Sequence, residues 1–251
     1  MRIALGLEYN GAAFHGWQMQ QPGVRSVQQV VEEAVARVAD HAVRVHCAGR
    51  TDTGVHALEQ VIHFETHALR PRRGWTQGVN VHLPDDVSVL WAKQVADDFH
   101  ARFSALGRSY RYLILNRPLR SALHHRRATW IHQPLDAELM HAAAQALRGT
   151  HDFSSYRALG CQARSPIRTL QHISVGRSGE LLELRVKANA FLHHMVRNIA
   201  GVLIAVGKGE AAADWAAEVL EHRDRRLGGV TAPPDGLYFE KVYYPEEFLF
   251  P

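Results

Sequence analysis

The chain has 251 residues, enough for one large domain or two small ones with a substantial core. Lys and Arg outnumber Asp and Glu by 29 to 25, and because only four of these cations are lysines, nearly all of the positive charge is arginine. Arginine stacks on bases and binds phosphates with two parallel hydrogen bonds, so this balance favours a nucleic acid or another anionic substrate as the partner.

Several protein classes are disfavoured from the outset. The two cysteines, Cys47 and Cys161, have no CxxC spacing, which argues against a disulfide framework. The N-terminus enters a strand pattern at once and does not have the layout of a signal peptide. The longest apolar run, residues 199–206, is far too short to cross a membrane. We therefore expect a soluble protein of the cytoplasm.

The first part of the chain alternates strand and helix patterns. Apolar residues alternate with other residues over 3–9, which predicts a strand. A helix is predicted to begin at Ser26, because Gln29 completes a capping box and apolar residues then recur at helical spacing as far as Val38. Further strands are predicted at 43–47, 60–65 and 87–95, with a short helix at 75–82.

The second part repeats this order of elements. The patterns predict a strand at 108–115, a helix at 136–147 closed by Gly149, and a hairpin of strands 170–175 and 181–186. A long apolar helix at 191–206, an amphipathic helix at 211–221 and a last strand at 237–243 follow. The sequence therefore predicts an α+β fold of two ferredoxin-like halves, residues 1–105 and 106–251, each with a mainly antiparallel sheet. We expect a groove between the two sheets.

One loop combines reactive and flexible residues in a short span. Residues 49–57 read GRTDTGVHA and follow the predicted strand that ends at Cys47. A strand fixes the position of a reactive group, and glycines let a substrate approach closely. Asp52 is therefore a candidate nucleophile or base, kept ionised by the neighbouring Arg50. The pattern alone favours a structural aspartate that closes an Asx-turn or caps a helix, because loop aspartates of that kind are common.

Other familiar motifs are absent from the sequence. The segment 201–209 has the wrong spacing for a phosphate-binding loop, and no Ser or Thr follows Lys208. The 17 histidines contain no HExxH, and the adjacent His193 and His194 are predicted to point apart on a helix. We therefore expect no metal site.

Four blocks of the sequence resemble one known family, the tRNA pseudouridine synthases of the TruA family. The first block is GRTDTGVHALEQVIHFET at residues 49–66, and the second is DFHARFS at 98–104 followed by RSYRY at 108–112. The third is ANAFLHHMVRN at 188–198, and the last is GLY at 236–238 followed by YP at 244–245. The blocks occur in the family's order and span most of the chain. Thr53 stands where the family more often has alanine, and it keeps a small side chain beside Asp52.

The resemblance implies a fold, a reaction and a partner. It implies the pseudouridine synthase fold, in which the two halves meet at a central active-site cleft. The family isomerises uridine to pseudouridine at positions 38, 39 and 40 in the anticodon arm of tRNA. The C1′–N1 bond breaks, the uracil turns and C5 bonds to C1′, so no cofactor is required. The family works as a homodimer.

The resemblance also assigns roles to five residues. Asp52 corresponds to the catalytic residue, acting as a nucleophile at C1′ or as a base that leads to a glycal. Tyr110 corresponds to the tyrosine that stacks on the target uracil and relays a proton. The other three are Arg50, which helps to hold the extruded nucleotide, Arg197, which pairs with the catalytic aspartate, and Leu237, which packs on the uracil. Without the resemblance, Tyr110 and Leu237 would be core residues, and the two arginines would be surface charges.

RNA binding suggests further contacts and two rival functions. Arg102, Arg108, Arg111 and Arg168 are candidate phosphate contacts. The first rival is a non-catalytic RNA-binding protein, which would need the arginines but not Asp52. The second is a carboxylate-dependent hydrolase that acts on another anionic substrate.

Overall fold

The computed structural model describes residues 1–248 and 250–251 of the chain. The strands in chain order are β1 Arg2–Tyr9, β2 His46–Cys47, β3 His56–Glu65, β4 Val87–Val95, β5 Gly107–Asn116, β6 Thr129–Ile131, β7 Gly149–Asp152, β8 Ile167–Ser178, β9 Leu181–Ala188 and β10 Leu237–Tyr243. The α-helices are α1 Val27–Ala39, α2 Ala137–Gln145, α3 Met195–Gly207 and α4 Trp215–His222. This mixture of strands and helices confirms the predicted α+β class.

The residues pack into two units, which we call the first unit (1–106 with 238–251) and the second unit (107–237). The terminal segment 238–251 thus packs with the first unit, whereas the sequence interpretation placed it in the second half. The division into domains at residues 105 and 106 stays a prediction.

The first unit is built on strands β4, β1, β3 and β10. β1 pairs antiparallel with both β3 and β4, whereas β10 pairs parallel to β3 through Tyr238 opposite His56 and Phe239 opposite Ala57. The short β2 adds to β3 in antiparallel orientation. Helix α1 begins as predicted, because the Ser26 side chain accepts a hydrogen bond from the backbone N–H of Gln29. Its apolar stripe is buried.

The second unit is built on the antiparallel series β5, β9, β8 and β7, with β6 parallel to β5. Helix α2 packs on β8 and α3, and α3 also packs on α4. Ten of the thirteen residues of α3 are buried, as expected for a helix that is apolar nearly all round. Among the described residues, no helix is long and apolar enough to span a bilayer.

Several predicted elements have bounds that differ from those observed. Only His46 and Cys47 of the predicted strand 43–47 pair with β3, because the N–H of Val45 is taken by the Glu32 carboxylate of α1 at 3.0 Å. The burial alternation of that segment is nevertheless as predicted, with Val43 and Val45 buried and Arg44 exposed. The predicted helix at 191–206 begins only at Met195, and the one at 211–221 begins only at Trp215.

The predicted short helix at 75–82 overlaps an observed helical segment at 72–80, whose central part, Gly74–Gly78, is π-helical. The sequence interpretation missed β6 and β7 altogether. Each has only three or four residues, too few for a strand periodicity to be recognised.

Candidate active site

Asp52 lies in a tight turn between β2 and β3. Its backbone carbonyl accepts a hydrogen bond from the N–H of Val55 at 3.1 Å, which closes a four-residue turn. Gly54, the third residue of that turn, has a φ of +81°, a conformation that favours glycine. The side chain of Asp52 is half-buried, and Arg50 is exposed. The turn therefore leaves the carboxylate of Asp52 partly accessible, and its reactive role stays a prediction.

The turn is fixed from outside by the segment that follows β1. The N–H of Trp17 donates to the carbonyl of Thr51 at 3.0 Å, and the N–H of Gly54 donates to the carbonyl of Phe14 at 3.2 Å. These two bonds hold the residues on either side of Asp52. The backbone of Asp52 is thus held at two neighbouring points by residues more than thirty positions away in the chain.

A buried hydroxyl pair anchors the same turn to the sheet. The hydroxyls of Tyr9 and Thr51 lie 2.8 Å apart, and both side chains are buried. Burial raises the pKa of Tyr9 above its ordinary value, and the hydrogen bond with Thr51 opposes that shift only in part. Tyr9 therefore remains neutral and keeps its hydrogen bond to Thr51. Because Thr51 directly precedes Asp52, this buried bond helps to fix the backbone at the start of the turn.

One glycine permits this close packing. Gly16 has a φ of +88°, and a Cβ built on it would lie 2.7 Å from the carbonyl oxygen of Thr51 and 3.1 Å from the carbonyl carbon of Asp52. A side chain at residue 16 would push the turn itself, because the atoms that it meets are backbone atoms.

The base of the turn is equally well held. The N–H of Gly49 donates to the side-chain oxygen of Gln60 at 3.3 Å, and the Gln60 amide donates back to the Gly49 carbonyl at 2.5 Å. The nearby Cys47 is not a competing nucleophile, because burial raises the pKa of its thiol to about 12 even though Arg50 opposes the shift. The interpretation of Cys47 as a packing residue agrees with this environment.

Tyr110 lies on β5 of the second unit, opposite Val186 of β9. Its side chain is half-buried, and its ring meets the ring of Phe191 edge-on, with 4.9 Å between centroids and an angle of 80° between planes. Edge-to-face aromatic packing of this kind stabilises one ring orientation. The ring is therefore oriented by its own unit.

Arg197 is the third residue of α3 and is half-buried. Its Nε donates to the carbonyl of Ala232 at 2.8 Å, and its own carbonyl accepts from the N–H of Ala232 at 3.1 Å. Leu237 is only 5 % exposed, and its N–H donates to the carbonyl of Pro234. Both residues are thus fixed by the chain that leads into β10.

The five predicted residues fall into two sets. Arg50 and Asp52 share the turn of the first unit, and Tyr110, Arg197 and Leu237 belong to the second unit. The pairing of Arg197 with Asp52 and the stacking role of Tyr110 stay predictions.

The four candidate phosphate contacts differ in environment. Arg111 lies 3.5 Å from the carboxylate of Glu183, and Arg108 donates to the carbonyl of Asn189 at 3.2 Å. Arg168 donates to the carbonyls of Ser165 and Ile167, and burial lowers its pKa from the ordinary value. Arg102 is exposed, with its guanidinium carbon 5.6 Å from the ring centroid of Phe103. An exposed guanidinium reaches a phosphate at least cost, so Arg102 is the strongest candidate of the four.

One detail of the histidine interpretation was wrong. His193 and His194 were expected to point apart on a helix, but α3 begins only after them, and their ring centroids lie 4.0 Å apart. The reason is the backbone of His194, whose φ of +60° breaks the helical path. The expected separation of His193 and His194 is therefore no longer an argument against their binding one metal ion.

Local sequence patterns do not reveal the residues that support the site. Tyr9 pairs with Thr51, and Arg225 donates to Asn198, which lies 27 positions away. No local pattern marks pairs that are so distant in the chain. Only the aromatic at the end of the first strand pattern, Tyr9, was visible as an element boundary.

Comparisons with known proteins bear on the same segments. The family model described as tRNA pseudouridine synthase matches residues 7–104 and 143–245, which include four of the five predicted site residues, Tyr110 being the exception. The chain is 58% identical over 248 residues to "tRNA pseudouridine synthase A" of Methylococcus capsulatus, covering 99% of this chain and 91% of that protein.

Two more proteins of that name are nearly as similar. The protein of Pseudoalteromonas atlantica is 57% identical over 100% of this chain and 95% of its own length. The protein of Pseudomonas aeruginosa is 55% identical over 100% of this chain and 88% of its own length. Sequence identity of 55–58% over nearly the whole chain, together with the match to the family model, shows that the chain belongs to the tRNA pseudouridine synthase family.

Proposed function

We propose that this protein isomerises uridine to pseudouridine at positions 38, 39 and 40 in the anticodon stem-loop of tRNA, with Asp52 as the catalytic residue. The observation that carries the proposal is the rigid turn that presents the half-buried carboxylate of Asp52 within the family-matched region. We further propose that the protein acts in the cytoplasm as a homodimer that binds the anticodon arm.

The reaction conserves every atom of the nucleotide. The bond from C1′ to N1 breaks, the uracil turns, and a bond forms between C1′ and C5. N1 gains a proton and C5 loses one, so the overall change needs neither an oxidant nor a reductant. Asp52 supplies the carboxylate for bond cleavage, either by attack on C1′ or by removal of a sugar proton to give a glycal. A turn held by several backbone bonds suits either role, because the carboxylate is positioned before the substrate arrives.

Access to Asp52 requires the target base to leave the helix. Extrusion costs a few kcal/mol, and stacking on an aromatic ring returns about 1–3 kcal/mol per base. We assign the stacking to Tyr110, whose ring orientation is already fixed by Phe191. Leu237 then supplies an apolar contact to the uracil, Arg50 holds the extruded nucleotide, and Arg197 pairs with the carboxylate of Asp52.

Recognition of the RNA rests mainly on its backbone. Action at three neighbouring positions requires tolerance of the bases around the target, which backbone and shape recognition allow. Exposed arginines such as Arg102 are the contacts that we expect to bind phosphates. Affinity for tRNA should therefore fall steeply as salt rises, because each phosphate contact releases counterions.

The decisive experiment compares Asp52→Asn with Asp98→Asn, which removes an exposed carboxylate from the same unit. Unmodified tRNA transcripts carry a single uridine at position 38, 39 or 40, and pseudouridine is mapped chemically without added metal. We expect Asp52→Asn to lose at least about a thousandfold in turnover while it still binds tRNA, and Asp98→Asn to remain active.

Three results would count against the proposal. Unchanged turnover in Asp52→Asn would reject Asp52 as the catalytic residue. Absence of pseudouridine from all three transcripts, with tRNA binding retained, would favour a non-catalytic RNA-binding protein. Product at another position of the tRNA would retain the reaction and overturn the proposed site specificity.

A further inference from the structure

The segment 228–233 of the second unit lies directly against the N-terminal part of α3. Gly201 of α3 makes this approach possible, because a Cβ built on it would lie 1.7 Å from the carbonyl oxygen of Val230. Two residues further along, Ala232 pairs with Arg197: its N–H donates to the Arg197 carbonyl, and its own carbonyl accepts from the Arg197 Nε. The place of the Arg197 side chain therefore depends on where residue 232 is held.

Packing does not enclose this segment on every side. The segment lines a cavity of about 820 Å³ together with residues of α3 and α4, among them Ile204 and Trp215. Val230 is 85 % exposed, whereas Ala232 is buried. A segment that borders a cavity makes fewer close contacts than an element inside a dense core, so polar groups contribute more to its position.

A three-residue polar cluster supplies those groups. Nη2 of Arg225 donates to Oδ1 of Asn198 at 3.1 Å and to Oγ1 of Thr231 at 3.0 Å. The hydroxyl of Thr231 donates to the same Asn198 oxygen at 2.6 Å, so the three side chains close a ring. The Asn198 amide also donates to the carbonyl of Tyr156 at 2.8 Å, and Asn198 is 2 % exposed. The cluster thus ties residue 231 to the residue that follows Arg197.

The far end of the segment is tied as well. The hydroxyl of Tyr112 donates to the carbonyl of Pro233 at 2.8 Å and lies 2.6 Å from the hydroxyl of Thr129. Three consecutive residues, 231 to 233, are therefore each hydrogen-bonded, the first two to α3 and the third to β5, with the carbonyl that receives Arg197 in the middle. The bond from Thr231 to its cluster and the bond from Tyr112 bracket the Ala232 carbonyl.

We propose that Arg225, Asn198 and Thr231 are positioning residues for Arg197, and that they set its guanidinium by fixing the Ala232 carbonyl. The inference rests on the proposed function, in which Arg197 pairs with the catalytic carboxylate. The three residues do not take part in the reaction directly. They affect the position of the Arg197 guanidinium, so their loss should lower kcat more than it raises KM for tRNA.

The first experiment compares Arg225→Met with Arg226→Met. Arg226 is the adjacent residue, is exposed and forms an ion pair with Asp224 of its own turn, so both variants lose one positive charge. We expect Arg225→Met to lower kcat about ten- to hundredfold with an unchanged KM, and Arg226→Met to leave kcat unchanged. Equal kcat losses, or a raised KM and a weaker salt dependence in Arg225→Met alone, would overturn the proposal in favour of a phosphate contact.

A second measurement places the effect on Arg197. In an Arg197→Ala background, Arg225→Met should cause no further loss of kcat, because the group that it positions is gone. Additive losses would overturn the inference and leave the proposed function intact. A kcat that is unchanged in Arg197→Ala would remove Arg197 from the proposed function, and the inference with it.

Thr231 repeats the test without removing a guanidinium. Thr231→Ser keeps the hydroxyl that bonds Asn198 and should retain kcat, whereas Thr231→Val should lower it in the same direction as Arg225→Met. Equal kcat in the two Thr231 variants would contradict a positioning role for the cluster, and this comparison stands even where Arg225→Met fails to fold.

Discussion

The turn that carries Asp52 and the strand that carries Tyr110 are held in place by different kinds of interaction. The turn depends on a few contacts with residues distant in the chain, namely the hydrogen bonds with Trp17 and Phe14 and the hydroxyl pair of Tyr9 and Thr51. None of these contacts is repeated elsewhere in the turn. If one of them is lost, the remaining contacts do not restore the original position of the turn.

The strand is supported by a repeated pattern. β5 pairs with β9 in unbroken register from Arg108 opposite Ala188 to Leu115 opposite Leu181. A residue in such a ladder keeps its position when one neighbour changes, because the remaining pairs preserve the register. The comparison teaches that substitutions beside Asp52 should affect turnover, whereas substitutions beneath Tyr110 should affect mainly stability.

Gly16→Ala should have the largest effect on turnover of these supporting changes. The new Cβ would lie 2.7 Å from the carbonyl oxygen of Thr51, and the φ of +88° adds backbone strain. We expect a loss of about 1–3 kcal/mol in the free energy of unfolding, and a fall in kcat of about a hundredfold from displacement of Asp52. Single-turnover pseudouridine formation and denaturant unfolding measure the two effects.

Gly23→Ala is the matched control for that change. Gly23 has a φ of +89°, but nothing lies within 4 Å of a Cβ built on it. It therefore carries the strain without the clash, and its kcat should stay close to that of the unaltered protein. Similar kcat values in the two variants would contradict the view that the turn is held by close contact.

Tyr9→Phe should have an intermediate effect on turnover. It leaves the buried hydroxyl of Thr51 without its partner 2.8 Å away, which costs about 1–3 kcal/mol of unfolding free energy. We expect kcat to fall about tenfold as the turn loosens. The double variant Tyr9→Phe with Thr51→Val removes both hydroxyls and should be less destabilised than the sum of the single variants. Strict additivity in unfolding experiments would show that the two hydroxyls act independently.

The elements that sequence patterns predicted well are those whose cause is local. The bounds of β4 and β10 are those of the predicted strands, and Ser26 caps α1 as predicted, because alternation and capping depend on residues a few positions apart. The predicted start of α3 was wrong because a contact between residues distant in the chain determines it. The side chain of Asn189 accepts hydrogen bonds from the backbone N–H groups of Ala190 and Thr169, a non-helical arrangement that hydrophobic spacing cannot reveal.

The same contrast between local and distant causes applies to the candidate site. Asp52 and Arg50 stand in a short motif that can be recognised from the sequence, and so do Tyr110 and Arg197. The contacts that support them join residues 42 positions apart for Tyr9 and Thr51 and 33 for Thr231 and Asn198. Such pairs form only when the whole unit folds. A short sequence window therefore cannot predict which residues will pair.

Leu184→Ala should change stability and leave turnover unaltered. Leu184 of β9 is 1 % exposed and lies opposite Tyr112 in the ladder that supports Tyr110. Removal of a buried leucine side chain costs about 2–5 kcal/mol of unfolding free energy. We expect kcat, measured well below the unfolding temperature, to match that of the unaltered protein. A fall in kcat as large as that of Tyr9→Phe would remove the contrast between the turn and the strand.

A substitution of His63, a buried residue of the first unit, should also leave turnover unaltered, because the influence of His63 is on acid stability. Its Nδ1 accepts a hydrogen bond from the N–H of Ala101 at 3.1 Å, which requires the neutral ring with its proton on Nε2. Burial lowers the pKa of His63 to about 3, and the nearby His100, His46 and Arg2 act in the same direction.

The sign of the pH dependence follows from that lowered pKa. An unfolded chain protonates this histidine near its ordinary pKa of about 6.5, whereas the folded protein takes up the proton only near pH 3. Between these values the unfolded state holds more protons, so this stabilisation is complete above pH 6.5 and is lost as the pH falls, by up to about 1.4 kcal/mol per pH unit. His63→Gln keeps an acceptor for Ala101 but cannot titrate, so urea titrations between pH 7 and pH 4 should give it a shallower slope, with kcat at pH 7 unchanged. Equal slopes in the two proteins would mean that His63 is not the group that links protonation to unfolding of the first unit.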